Sequence, residues 1–269
     1  MGKLIFLDVD GTLTLPGHPP GPTTVAAIRA ARAKGHKVFL STGRLEANIA
    51  QDVLSIGFDG GIYSAGGRVV VNGKEIINRS MPAQLVQQVA DTMREFNLFF
   101  MLENASGTYV GSEDRGLSCV SADLRRLMER EMHILPRDLM PEHDLVYKIV
   151  FHAETISQAE QLAQRLATTA KVVYFSGLLS DMDIVPGEIS DWNINKGTAL
   201  ECICRYINAD PGDSIAFGDS MNDMEIFQAA GIGIAMGNAE ERVKALADLV
   251  CGSCDEDGVA KALAGLKLI

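Results

Sequence analysis

With 269 residues, 47% of them hydrophobic, the chain is long for one compact domain and sufficient for two. A formal net charge of −11 disfavours nucleic acid and anionic membranes as partners, and leaves any anionic substrate to be met by a locally recruited cation. No apolar run approaches the roughly 20 residues that span a bilayer, the N-terminus opens on a strand rather than a secretory signal, and five cysteines argue for reduced thiols, so a cytoplasmic protein is expected, as monomer or weak homodimer.

The apolar run Leu4–Leu7 reads as a strand buried on both faces, and it ends abruptly in Asp8-Val9-Asp10-Gly11-Thr12. Ligands of open α/β sheets sit at the carboxyl ends of such strands. If the strand continues past Asp8, the two aspartates share one side and converge on one metal and one substrate group. Gly11 then turns the backbone away. The competing reading makes Asp8 a helix cap and Asp10 a turn residue. Pro16–Pro22 is a loop, and Thr23 or Thr24 caps a helix running to about Lys34, with Gly35 as its stop.

A second buried strand, Lys37–Leu40, ends in Ser41-Thr42-Gly43-Arg44, where a hydroxyl, a glycine amide and a guanidinium at the start of a helix over 45–56 suit an anion. Gly60–Tyr63 reads as a further strand, and Val69–Ile77 as a hairpin turning at Asn72-Gly73. From about 82 to 185 the pattern changes. Helices over 83–96, 121–132 and 155–169 alternate with strands near 98–103, 107–111, 145–152, 171–175 and 180–185, which suggests an independent α+β module.

Asp191–Gly197 then opens a helix to about Ile207. Lys196 in its first turn works against the helix dipole unless an anion sits beside it. The strand Ser214–Phe217 ends in Gly218-Asp219-Ser220-Met221-Asn222-Asp223, the third buried run of the chain to stop in a polar turn rich in acids or hydroxyls. Cys202-Ile-Cys204 and Cys251-Gly-Ser-Cys254 are isolated pairs and do not make a zinc site.

Taken together, Asp8-x-Asp10-Gly-Thr, Thr42-Gly43, Lys196 and Gly218-Asp219-x-x-Asn222-Asp223 resemble, in order, the four motifs of the haloacid-dehalogenase-like (HAD) phosphatases. Ile232–Asn238 and Cys254–Ala260 resemble the closing segments. The position of the insert resembles the Cof-type subgroup (subclass IIB). The resemblance implies an α/β fold: a Rossmann-like core with a parallel sheet flanked by helices, over 1–81 and 186–269, plus an inserted α+β cap over 82–185. Many relatives carry Asn-Gly-Ala where this chain has Ser64-Ala65-Gly66-Gly67, so no polar contact is assigned there.

The resemblance further implies an enzyme that hydrolyses a small phosphorylated metabolite. Asp8 is the nucleophile and Asp10 the acid and base. Thr42, Gly43, Lys196 and Asn222 hold the phosphoryl group, and Arg44 contacts substrate. Hard oxygen ligands point to Mg²⁺ on Asp8, Asp219 and the Asp10 carbonyl, with Asp223 in support. A phosphosugar mutase and a non-catalytic phosphometabolite sensor are the alternatives. Substrate choice is expected from the cap: Asp181 and Asp183 share one face of the 180–185 strand, with Glu103, Tyr109 and Tyr174 as further candidates.

Overall fold

The computed structural model describes residues 2–111, 134–135, 145–175 and 184–269. In chain order, β1 (Leu4–Leu7), α1 (Pro22–Ala33), β2 (Lys37–Ser41), α2 (Gln51–Leu54), β3 (Gly60–Tyr63), β4 (Arg68–Val71) and β5 (Lys74–Asn78) come first. Next are α3 (Ala83–Glu95), β6 (Phe99–Asn104), β7 (Gly107–Val110), β8 (Ile134–Leu135), β9 (Lys148–Ala153), α4 (Ile156–Leu166), β10 (Lys171–Tyr174) and β11 (Val185–Ser190). The chain closes with α5 (Lys196–Tyr206), β12 (Ser214–Gly218), α6 (Met224–Ala229), β13 (Ile232–Ala235), α7 (Glu241–Lys244), β14 (Leu249–Val250) and α8 (Gly258–Gly265).

These elements form two compact units. The first comprises Met1–Arg44, Ile49–Asn78 and Asn195–Ile269, and the second Leu45–Asn48 and Arg79–Ile194. The sheet of the first unit has the order β14-β13-β12-β1-β2-β3-β4-β5, parallel from β14 to β3 and antiparallel at the β3–β4–β5 edge. Alternate residues of β1 serve opposite cores. Ile5 and Leu7 pack with Ile28 of α1 and Leu263 of α8, while Leu4 and Phe6 pack with Leu200 and Ile203 of α5. A strand with both faces covered has no room for polar residues, which explains the continuous apolar run. β1 lies between β12 and β2, so chain order reverses on either side of it, and such a reversal opens a crevice at the strand's carboxyl end.

In the second unit the sheet order is β10-β11-β9-β6-β7-β8, antiparallel except for β7–β8. Val89 and Met93 of α3 and Leu162 and Leu166 of α4 pack on Phe100, Leu102, Ile149 and Phe151. The alternate residues face the other way, and there Lys148 pairs with Glu103 at 3.3 Å and also with Glu188. β11 pairs with β9 and β10, so residues 185–190 belong to this sheet and not to the core that was expected to resume at 186.

Local differences from the sequence reading have physical causes. α1 starts at Pro22, one or two residues before the expected caps: proline at the first helical position loses only an amide that the helix leaves unbonded, and Gly21 supplies the extended cap. Thr24 is buried and its hydroxyl reaches Asp257 at 3.4 Å. The helix expected over 45–56 is a 3-10 turn at Glu46–Asn48 and the short α2, separated by Ala50 in an extended conformation. The helix expected over 121–132, and Asp181, Met182 and Asp183, lie outside the described residues. Among the described residues, no helix is long and apolar enough to cross a membrane.

Candidate active site

Four segments of the first unit bring the chemistry together. β1 delivers Asp8 just past its last residue, and the Asp8 amide donates to the Phe217 carbonyl of β12 at 3.1 Å. β12 ends at Gly218, after which a 3-10 turn folds Asp223 back: its Oδ2 accepts the amides of Asp219 at 3.0 Å and Ser220 at 3.1 Å. Only glycine fits at 218, since a Cβ there would stand 2.3 Å from the Asp223 carboxyl carbon. Asn195 caps α5 by accepting from the Thr198 amide at 2.8 Å, which sets Lys196 at the first position of the helix. Gly197 lets that helix lie against the Glu225 carbonyl, where a Cβ would approach to 2.4 Å.

Lys196 is completely buried, and its ammonium donates to Asp8 Oδ1 at 2.7 Å, Asp223 Oδ1 at 2.6 Å and Asn222 Oδ1 at 3.0 Å. Three donors on three acceptors satisfy the head group. Asn222 Oδ1 also accepts from the Ser220 hydroxyl at 2.9 Å, which orients the amide toward the lysine. A buried cation of this kind needs partners of opposite charge; here it has two, and burial alone would expel it. Burial pulls the Lys196 pKa down, but Asp223 and Asp8 outweigh it and the net shift is upward, so the group stays charged.

The carboxylates outnumber that cation. Oxygens of Asp8, Asp219 and Asp223 lie within 4.8 Å of one another, and Asp219 Oδ1 is buried without a hydrogen-bond partner. Burial, then the charges of Asp223, Asp219 and Asp10, raise the Asp8 pKa well above the carboxylate range, against the opposing pull of Lys196. Burial and the neighbouring Asp223 push Asp219 up to about 7. Surplus negative charge, hard oxygen donors and an orphaned carboxylate oxygen are the features of a divalent-cation site, and Mg²⁺ fits the donor set.

Asp10 is placed differently from the sequence expectation. β1 stops at Leu7, Gly11 turns at φ +79°, and the half-exposed Asp10 carboxylate is gripped by Arg44, with Nε to Oδ2 at 2.7 Å and Nη2 to Oδ1 at 2.6 Å. Arg44, expected to contact substrate, thus forms a bidentate pair with the second aspartate. A Cβ at Gly11 would stand 2.2 Å from Asp219 Oδ2, so the glycine admits the acid as well as the turn. Thr42 is buried at the end of β2, its Oγ1 accepting from the Arg44 amide at 3.1 Å, and Gly43 follows it half-exposed.

Two features were missed. Ser64 and Ala65 adopt left-handed φ of 51° and 55°, the Ser64 amide donates to the Arg44 carbonyl and the Ala65 amide to the Thr42 carbonyl, and the Ser64 hydroxyl is buried without a partner. Backbone strain of this kind concentrates at functional sites. The Gly66-Gly67 pair after an apolar strand was the available signal. Asn238 is the second: its side chain donates to the Gly11 carbonyl and accepts from the Cys254 amide, both at 2.9 Å. Of the cap candidates, Glu103 and Tyr109 are buried in the second unit, Glu103 against Lys148, and Tyr174 is half-buried.

The profile of the haloacid dehalogenase-like hydrolases matches residues 5–263. An HMP-PP phosphatase of Yersinia pseudotuberculosis serotype I (strain IP32953) is 29% identical over 265 residues, which cover 97% of this chain and 93% of the relative. A solved phosphatase of the haloalkanoate (HAD) enzyme superfamily from Bacteroides thetaiotaomicron is 26% identical, with a TM-score of 0.82 over 100% of this chain and 96% of its own. The fold is shared with an HAD subclass IIB sugar phosphatase, at 23% identity and a TM-score of 0.81, over 99% of this chain and 100% of the other.

Proposed function

Because the chain belongs to the haloacid dehalogenase-like hydrolases, we propose that it is a Mg²⁺-dependent phosphatase that hydrolyses a small phosphorylated metabolite through a phosphorylated Asp8. The observation that carries this reading is the buried Lys196 bonded to Asp8, Asp223 and Asn222 beside the orphaned Asp219 oxygen. A structural role alone would leave no reason to bury two acids on one lysine, with a third acid beside them, at the reversal point of the sheet.

In this reading Asp8 and Asp219 would hold Mg²⁺ by their carboxylates and Asp10 by its backbone carbonyl, while Asp223 fixes the loop and the lysine. The ion would supply positive charge against the phosphoryl oxygens. Lys196 holds Asp8 Oδ1, which leaves Oδ2 to attack phosphorus and displace the ester oxygen. Once Arg44 turns to the phosphoryl group, Asp10 takes up a proton from solvent and gives it to that leaving oxygen, then takes one from the water that attacks the phosphorylated Asp8 at phosphorus. Phosphate leaves and the carboxylate returns unchanged. Thr42, the Gly43 amide, Lys196 and Asn222 position the phosphoryl oxygens, and Arg44 holds Asp10 until a phosphoryl group competes for its guanidinium.

The activities of the relatives suggest the compounds to try: HMP-PP and sugar phosphates, beside an aryl phosphate as a generic ester. Phosphate release that requires Mg²⁺ and disappears in Asp8→Asn supports the reading. Absence of release from every ester in such a set, with Mg²⁺ bound, contradicts it.

A further inference from the structure

The closing segments after β13 and β14 are tied to the first catalytic loop through one side chain. We propose that Asn238 is a positioning residue: it clamps the Gly11 carbonyl and thereby sets the direction of the neighbouring Asp10, both its backbone carbonyl toward the metal and its carboxylate toward the leaving group. The inference rests on the phosphatase reading for its kinetic consequences.

The orientation of the amide is fixed by chemistry. The Gly11 carbonyl only accepts and the Cys254 amide only donates, so Nδ2 faces Gly11 and Oδ1 faces Cys254. One side chain therefore bridges the loop after β1, the loop after β13 and the segment before α8. Its own backbone is seated closely. The Gly237 amide donates to the Gly252 carbonyl at 3.1 Å, and a Cβ on Gly237 would meet the Ser253 nitrogen at 2.7 Å.

At the other end, Gly11 is the pivot of the loop. Its amide donates to the Thr14 carbonyl at 2.7 Å, its φ is +79°, and Asp219 lies against its Cα. Glycine has the widest backbone freedom of any residue, so a tight loop pivoting on it needs an external tie to hold one conformation. The peptide flanking the pivot carries the Asp10 carbonyl. A rotation there would turn that oxygen from the metal and swing the Asp10 carboxylate with it. Geometric errors of about 1 Å at a reacting group lower rates by up to about 10²-fold.

The test compares wild type with Asn238→Ala and Asn238→Asp. The aspartate keeps an acceptor for the Cys254 amide but has no hydrogen to give Gly11, so it separates the clamp from the anchor. With saturating Mg²⁺, both variants are expected to lose kcat about tenfold or more on a sugar phosphate, whose leaving group needs a proton from Asp10. With p-nitrophenyl phosphate, a better leaving group, the loss is smaller, and KM stays within about twofold because Thr42, Gly43 and Lys196 are untouched. Calorimetric titration with Mg²⁺ alone should show weaker binding by several-fold in both variants. That second measurement stands even if the wild type releases no phosphate, the result that would defeat the phosphatase reading. Wild-type Mg²⁺ affinity in both variants overturns the proposal, as does an Asn238→Asp enzyme with wild-type selectivity between the two esters.

Discussion

Lys196 shows how one residue joins stability to chemistry. Its removal leaves Asp8 and Asp223 buried without their counter-charge, and breaking such a pair costs on the order of 3 to 5 kcal/mol. Lys196→Ala is therefore expected to lower the urea midpoint strongly and, where it folds, to lower turnover roughly 10²–10³-fold, the loss seen for one charge-stabilising donor. Asp8→Asn points the other way. Burial holds the Asp8 pKa above its unfolded value, so at neutral pH the ionised acid is a burden on the fold. The amide should abolish turnover while leaving the metal-free protein as stable as wild type or more so, by thermal unfolding in EDTA. A marked loss of stability in Asp8→Asn would show that the acid holds the fold together. Arg44→Ala belongs to a third class. The pair with Asp10 is about half-exposed, which limits its worth to about 1 kcal/mol, so a fall in activity without a fall in melting temperature would place Arg44 in the chemistry.

At the scale of elements, the parts legible in the sequence were those whose cause is local. Leu4–Leu7, Val38–Leu40 and Ile215–Phe217 are apolar without alternation because both faces of the sheet are covered, and the residues just past those runs form the candidate site. The failures were contacts between distant segments. Nothing near Arg44 announces that Asp10 will be its partner, and Asn238 meets Gly11 across 227 positions. The stretch 45–56 carries no glycine or proline, yet Ala50 is extended and splits it, with Leu45–Asn48 grouped in the second unit and Ile49 and Val53 in a core of the first. Val185–Ser190 forms β11 despite a proline and a glycine; Gly187 is required there because a Cβ would stand 2.3 Å from the Phe151 ring.

The sheet of the second unit carries its own pH dependence. His152 of β9 stacks on Phe99 of β6 with ring centroids 5.8 Å apart, and its Nδ1 is shielded without a partner. Burial lowers its pKa from 6.5 to about 4. Between those values the unfolded chain binds the extra proton, so stability falls as pH drops below about 6.5 and this loss levels off below about 4. The loss is on the order of 1 to 3 kcal/mol. His152→Phe keeps an aromatic partner for Phe99 and should flatten that part of the profile in urea unfolding from pH 7 to pH 4. An unchanged slope would assign the acid sensitivity elsewhere.

On the scale of the whole molecule, the proposed reading makes a chain of net charge −11 that acts on anions depend on a cation recruited to its site. Asp219→Ala, by removing the orphaned oxygen, should raise the Mg²⁺ concentration needed for half-maximal activity by at least about tenfold, and an unchanged requirement would remove Asp219 from the metal site. The central claim is narrower: the phosphoryl group passes through Asp8. It is tested most directly by quenching the enzyme within its first turnovers on an aryl phosphate with Mg²⁺, reducing with borohydride, and mapping the peptides by mass. The account predicts that the acyl phosphate at Asp8 is reduced to homoserine there, with no such product from Asp8→Asn. A modification at any other carboxylate, or full turnover by Asp8→Asn, would contradict it.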